Sequence, residues 1–136
     1  MRGKCKLIIE QNSIPRKNED FIEEIKFTKL SNYIPYLINK NLALIKIDIE
    51  GSEGKAINSG IELITKYHIP FIFVEFVPDY LKIQGTDPKE FLETFEKNGY
   101  KISLQDFLSK KYLSIEQILK LSDINLFIVY CDFLEK

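Results

Sequence analysis

The amino-acid sequence predicts an α/β fold built around one mostly parallel sheet with helices on its faces. From residue 42 onward, apolar segments of strand length alternate with amphipathic segments of helical length. Such alternation is typical of parallel strands joined by crossover helices. A chain of 136 residues with 45% hydrophobic residues can bury a real core, so we expect a single domain over residues 1–136.

The N-terminal region carries weaker signals than the rest of the chain. Residues 1–24 are the least determined part, and the polar residues 11–20, which contain Pro15, predict a surface loop. Residues 25–27 fit a short strand. Residues 31–39 have apolar side chains at helical spacing and predict a helix.

The clearest strand is predicted at residues 42–49. Four apolar residues are followed by isoleucines that alternate with Lys46 and Asp48, which predicts a strand buried at its start and open at its end. Gly51 ends it, and Ser52 can cap a helix that runs to about Tyr67. The inner face of that helix is predicted to hold Ala56, Ile57, Ile61 and Ile64.

Three further strands and two helices complete the predicted order. Residues 71–77 read as a buried strand interrupted by Glu75, and Pro78 ends it. Asp87 and Pro88 begin a helix as its cap and first residue, and Asn98-Gly99 ends it. Its inner face is predicted to be Phe91, Leu92 and Phe95; strands at residues 100–104 and 126–131 then flank a helix at residues 114–121.

Carboxylates gather where two of these strands end. Asp48, Glu50 and Glu53 surround the first strand-to-helix turn, and Glu75 lies near the end of the next strand. Ligands of parallel sheets bind beyond the carboxyl ends of the strands. Crowded carboxylates raise one another's pKa and can act as a base, a metal ligand or a hydrogen-bond acceptor. Glu53 also suits the first turn of a helix, where the dipole favours negative charge.

The string from Lys46 to Glu53 (Lys-Ile-Asp-Ile-Glu-Gly-Ser-Glu) resembles the signature of the FkbM methyltransferase family. The similarity continues with Gly60 on the helix, Val74-Glu75 on the next strand and Asn98-Gly99-Tyr100 before a further strand. It covers residues 25–104, and residues 105–136 would add a helix and a completing strand. Upstream, residues 27–30 stand where the family has a threonine-leucine-aspartate step, here without the aspartate.

The resemblance implies a Rossmann-like fold with helices on both faces of the sheet and a methyltransferase that uses S-adenosylmethionine. It implies methyl transfer to a hydroxyl oxygen of a small molecule or a sugar. Asp48 would lie beside the reactive methyl group, as the base or as the group that orients the acceptor. Asp48, Glu50 and Gly51 would contact the cofactor, and Glu53 and Glu75 would bind the substrate; a carboxylate also offsets a sulfonium charge.

The resemblance is to the C-terminal part of the domain only. The family's glycine-rich loop and its strands should come first, yet Gly3 is the sole glycine before residue 42. A homo-oligomer or a complementing subunit could supply that part. The alternative is a truncated, non-catalytic module that associates with another protein through an open sheet edge.

Two other sites remain open from the residues alone. One is a dinucleotide-binding site, because Gly51 and Gly54 follow a strand and open a helix, and Glu75 lies at the sequence distance expected of a ribose-binding acid. A magnesium or calcium site formed by the four carboxylates named above is the other. His68 follows a helix end, where a structural role fits best.

Charge and composition narrow the class of partner. A formal net charge of −1 gives no electrostatic reason to bind nucleic acid or an anionic membrane. No apolar run approaches the roughly 20 residues of a membrane span, and no secretory signal is recognisable, so we expect a cytoplasmic protein. Cys5 and Cys131 lie at opposite ends without metal-type spacing and predict two free thiols.

Overall fold

The structure is a computed structural model that describes residues 28–37 and 39–134. The described strands form one four-stranded sheet of order β1-β2-β4-β3. The predicted loop at residues 11–20 and strand at residues 25–27 lie outside the described residues. The strands are β1 (Leu44–Ile47), β2 (Phe71–Phe76), β3 (Tyr100–Ser103) and β4 (Ile124–Tyr130).

The sheet is mixed rather than mostly parallel in its pairing. β1 and β2 pair in parallel, while β4 runs antiparallel to both of its neighbours, β2 and β3. The first three strands therefore point the same way, as expected of a mostly parallel sheet, and the last strand runs against them. Strand periodicity reports which residues face the core, but it carries no information on the direction of the neighbouring strand.

Six helices and one short 3-10 helix (Leu30–Tyr33) occur within the described residues. The predicted helix at residues 31–39 is divided between that 3-10 helix and α1, and the helix predicted at 114–121 is reduced to α5. A helix after β2, α3, was not predicted. The α-helices are α1 (Ile34–Leu37), α2 (Glu53–Tyr67), α3 (Pro78–Ile83), α4 (Pro88–Lys97), α5 (Ile115–Ile118) and α6 (Cys131–Leu134).

Helix α4 begins as its sequence predicts. Asp87 Oδ1 accepts hydrogen bonds from the backbone N–H of Lys89 (2.9 Å) and of Glu90 (3.0 Å). Pro88 occupies the first turn, where its missing N–H is not needed. The predicted inner face of Phe91, Leu92 and Phe95 is buried, which confirms the helical periodicity.

The two long helices pack against one face of the sheet. On β2, Ile72, Val74 and Phe76 are fully buried, while the alternate residues are only half-buried. Phe91 of α4 stacks on Phe76 with ring centroids 6.2 Å apart. Both crossovers, β1 to β2 and β2 to β3, proceed in the same direction across the sheet, and right-handed connections then place their helices on the same side.

The opposite face has a thinner cover within the described residues. The ring of Phe107, from the loop after β3, lies 4.8 Å from that of Phe71 and 5.1 Å from that of Phe127. The ring centroid of Phe133, in the short helix α6, lies 5.1 Å from that of Phe71. The predicted helices on both faces are thus found only in part, since a loop and one helical turn take the place of a second helical layer.

The burial of β1 is the reverse of the prediction. Leu44, at its start, is 52% exposed, whereas Ile47, at its end, is 7% exposed. β1 lies at the edge of the described sheet, and Leu44 pairs with Phe71 on the thinly covered face. Ile47 points instead into the core beneath α2.

Helix α2 supplies much of that core. Its buried apolar residues are Ile57, Leu63 and Ile64, while the predicted Ala56 and Ile61 are half-buried. Gly60 is buried where the side chain of Leu30 crosses the helix, so a Cβ there would collide with it. None of the described helices has the length and apolar character needed to cross a membrane.

Candidate functional site at the carboxyl ends of β1 and β2

The carboxyl ends of β1 and β2 lie side by side, as the sequence predicts. Their parallel register pairs Lys46 with Phe73 and Ile47 with Val74. One step further, the same register places Asp48 beside Glu75, on the thinly covered face of the sheet. Asp48 is exposed and Glu75 is half-buried. Two of the predicted site residues, which are far apart in sequence, are therefore brought together.

The environment of Glu75 favours its protonated form. Its pKa is raised first because burial removes water from the carboxylate, and then by the charge of Asp48 and by hydrogen bonding between the two carboxyl groups. The negative charges of Glu53 and Asp123 raise the pKa of Glu75 further. Glu75 therefore holds a proton more readily than an ordinary glutamate does, next to Asp48 at the end of two adjacent strands.

Asp123 was not anticipated as part of this acidic group. It immediately precedes β4, and β4 begins at this end of the sheet because it is antiparallel to β2, with Ile124 opposite Phe76. The prediction of a mostly parallel sheet left the direction of the last strand open, and a parallel strand there would have placed Asp123 at the far end. Knowledge that β4 runs antiparallel to β2 would have placed Asp123 in the acidic group.

Glu53 does not point outward from its helix. It is 2% exposed, its Oε1 accepts the backbone N–H of Ile49 (3.0 Å), and its Oε2 accepts that of Gly51 (2.8 Å). Both carboxylate oxygens are therefore engaged by the turn that precedes the helix. A substrate-binding role for Glu53 stays a prediction, and these contacts favour a role in holding the turn.

The turn itself depends on two residues with positive φ. Gly51 has φ +103°, and a Cβ on it would lie 2.7 Å from the carbonyl oxygen of Tyr80 in α3. Glu50 has φ +53° and an exposed side chain at the apex of the turn. The cofactor contacts predicted for both stay predictions; the close approach of Tyr80 explains why glycine stands at position 51.

The rival sites find less support in these contacts. A Cβ on Gly54 would collide with the side chain of Thr86, so this glycine serves the packing of α2 against the segment before α4. Among the residues that the structure describes, no three His, Cys, Asp or Glu side chains are arranged to hold a metal ion. His68 ends α2 in a left-handed conformation and stacks on Tyr130, with ring centroids 5.1 Å apart.

Two concavities of the described part lie away from the carboxyl pair. One is an open apolar groove beside Phe71, Phe107 and Leu108, at the opposite end of the thinly covered face. The other is a small polar depression between α2 and α4 that includes Asn58 and Thr94. Within the described residues, neither of these two concavities includes a carboxyl group of the acidic turn.

Comparison with known protein families identifies the region. The model of the methyltransferase FkbM domain matches residues 7–102, or 96 of the 136 residues. The chain belongs to the FkbM methyltransferase family. The match covers part of that domain and starts earlier than residue 25, where the resemblance was predicted to begin. Searches of curated proteins and of solved structures gave no match.

The FkbM match includes the whole acidic turn and both parallel strands. It ends at residue 102, within β3, so α5 and β4 lie beyond it. Asp48, Glu53 and Glu75 are therefore residues of the FkbM region itself. Asp123 reaches the same place from outside the matched range, through the antiparallel last strand.

Proposed function

We propose that this chain contributes to S-adenosylmethionine-dependent methyl transfer of the FkbM type, with a hydroxyl oxygen of a small molecule or sugar as the acceptor and a Rossmann-like fold as its scaffold. The observation that carries the proposal is that Asp48, just after β1, lies beside Glu75, near the end of the adjacent parallel strand β2. Membership of the FkbM family supports the reaction class.

The chemistry of this group fits the methyl donor. When bound, S-adenosylmethionine supplies a methyl group on a positively charged sulfur. Asp48 and Asp123 lie close enough to Glu75 for their charges to raise its pKa, and negative charge at this place offsets a sulfonium charge. Asp48, Glu50 and Gly51 are the residues that we assign to the cofactor side of the site.

Asp48 is the residue that we assign to the acceptor proton. Burial and the neighbouring Asp48 raise the pKa of Glu75, so of the two carboxyl groups we assign the role of proton acceptor to the exposed Asp48. Asp48 is exposed and can reach a hydroxyl from solvent. It accepts the hydroxyl proton or a hydrogen bond from it, which aligns the oxygen for attack.

The test is methyl transfer from labelled S-adenosylmethionine to a panel of sugars and hydroxylated small molecules, with cofactor binding measured by calorimetry. Asp48→Asn is expected to lower the transfer rate about 10²- to 10⁴-fold, the usual contribution of a positioned base. The matched control is Glu116→Gln, an exposed carboxylate on α5, which is expected to leave the rate unchanged. An unaltered rate in Asp48→Asn would refute the role of Asp48.

A second candidate function is association with another protein without catalysis. The exposed apolar residues Leu44 (52%) and Ile49 (43%) favour it, since they lie on and just after β1, the edge strand of the described sheet, and strand edges with apolar surface associate readily. Light scattering combined with calorimetry separates the two. A stable oligomer that has no affinity for S-adenosylmethionine favours association, and cofactor affinity favours the enzyme.

A further inference from the structure

The carboxylate of Glu53 accepts hydrogen bonds from backbone groups that precede it in the chain. It belongs to the first residue of α2, yet it accepts hydrogen bonds from residues two and four positions earlier, at Gly51 (2.8 Å) and Ile49 (3.0 Å). The bond to Gly51 is buried, and the Glu53 side chain has almost no exposure. Charge-assisted hydrogen bonds of this kind, shielded from water, are among the stronger restraints available to a turn.

The two restrained amides lie on either side of a strained backbone. Between them is Glu50, a non-glycine residue with φ +53°, and Gly51 follows with φ +103°. Glycine adopts positive φ freely, but at a glutamate this conformation costs free energy and persists where surrounding contacts hold it. On one side of this turn, Gly51 packs against Tyr80. On the other side, Ile49 directly follows Asp48 in the chain, so the position of the Ile49 backbone fixes that of Asp48.

We propose that Glu53 is a positioning residue: through the Ile49 and Gly51 backbone it holds Asp48 in the orientation that faces Glu75. Its two oxygens are occupied by the turn, so it acts through Asp48 and does not contact the acceptor. The catalytic meaning of this role rests on the proposed function. The geometric part does not, because it concerns only how three carboxylates of this chain are placed.

Two substitutions of Glu53 separate geometry from charge. Glu53→Asp keeps the negative charge but is shorter by one methylene and cannot reach both amides. Glu53→Gln keeps the length but loses the charge and one acceptor oxygen. Glu75 reports the result, since the charges around it are Asp48, Glu53 and Asp123. Asp48→Asn provides the reference for Glu75 without its nearest negative charge.

The experiment uses the full chain and nuclear magnetic resonance. Amide exchange is measured at Ile49 and Gly51, and the Glu75 carboxyl is titrated in the wild type, Glu53→Asp, Asp48→Asn and the double variant. We expect Glu53→Asp to speed exchange at both amides about tenfold or more. We also expect it to lower the pKa of Glu75 in the same direction as Asp48→Asn, and to add little in the double variant because the two changes share one cause.

Contrary results are equally specific. Unchanged exchange at Ile49 and Gly51 in Glu53→Asp would show that the carboxylate does not hold the turn. Faster exchange with an unchanged titration of Glu75 would show that Glu53 stabilises the turn without orienting Asp48. The control is Glu62→Gln, an exposed carboxylate on the same helix, which should alter neither measurement.

A second variant covers the case in which Glu53→Asp does not fold. Glu53→Gln is then compared in the wild-type and Asp48→Asn backgrounds. Unequal effects on the pKa of Glu75 support positioning, whereas equal effects mean that Glu53 acts only by its own charge and overturn it. None of these measurements requires cofactor or acceptor, so a failure here is distinguishable from a failure of methyl transfer.

Discussion

Gly51 offers a direct test of how the acidic turn is built. A Cβ at this position would lie 2.7 Å from the carbonyl oxygen and 2.9 Å from the Cβ of Tyr80, while ordinary contacts begin near 3.4 Å. The φ of +103° adds backbone strain for any side chain. Gly51→Ala must therefore displace the start of α3 as well as strain its own backbone.

A second glycine allows the two costs to be separated. Gly85 also has a positive φ, of +83°, but no atom would lie within 4 Å of a Cβ placed on it. Positive φ costs an alanine about 1–2 kcal/mol, of which about 0.4–1 kcal/mol is returned because the unfolded chain becomes less flexible. Gly85→Ala should therefore lose about 1 kcal/mol of unfolding free energy.

Gly51→Ala should lose more unfolding free energy than Gly85→Ala, because it also overpacks the contact with Tyr80. Forcing a methyl group into a filled position costs about 1–3 kcal/mol, so we expect a total loss of about 2–4 kcal/mol. In a chain of this size, the difference between the two variants corresponds to a lowering of the melting temperature by about 4–12 °C. Urea and thermal denaturation followed by circular dichroism measure both quantities. Equal losses in the two variants would refute the contact with Tyr80.

Two further predictions concern the cap of α4 and the titration of the site. Asp87→Ala removes the acceptor of two backbone N–H groups and should lower the free energy of unfolding, measured by urea denaturation, by about 0.5–2 kcal/mol. The control Glu96→Ala, exposed on the same helix, should change it by no more than about 0.5 kcal/mol. Equal effects of the two variants would contradict the capping bonds. Because the pKa of Glu75 is raised in the folded protein, the fold binds this proton more tightly than the unfolded chain does. The free energy of unfolding should therefore fall as pH rises from the ordinary glutamate pKa through the folded one, and the stability of Glu75→Gln relative to wild type should grow over that interval. Urea titrations at a series of pH values test this, and Asp48→Asn should reduce the dependence; a difference that is constant with pH would be incompatible with the raised pKa.

The element boundaries were largely predictable because they are encoded locally. Asp87 and Pro88 mark the start of α4, and Gly51 marks the end of the strand region before α2. Ser114 likewise begins α5, where it forms a capping box with Gln117. Each of these signals depends on backbone groups within a few residues, so a single sequence contains it completely.

The missed features depend on contacts between distant residues. Pro78 was interpreted as the end of a strand, but it also starts α3, whose backbone then packs on Gly51. The direction of β4 is decided by its pairing with β2 and β3 and not by its own alternation. For that reason Asp48 and Glu75 were predictable from the sequence as site residues, but Asp123 was not.

Glu53 illustrates a different limit of sequence reasoning. A glutamate in the first turn of a helix is equally compatible with a solvated charge and with a buried acceptor. Only the reversal of the chain between Ile49 and Gly51, which brings two amides onto one carboxylate, distinguishes these cases. The residue type was predictable as important, but its partner groups were not.

The position of β4 between β2 and β3 has a consequence for biosynthesis. Among the described strands, β3 has β4 as its sole neighbour, although β3 is made more than twenty residues earlier. In a nascent chain that has reached residue 123, β3 therefore lacks its strand partner and β2 lacks the neighbour on its β4 side. We expect chains that stop there to associate rather than to fold as a smaller domain, and chaperones to stay bound until residues 124–130 have left the ribosome.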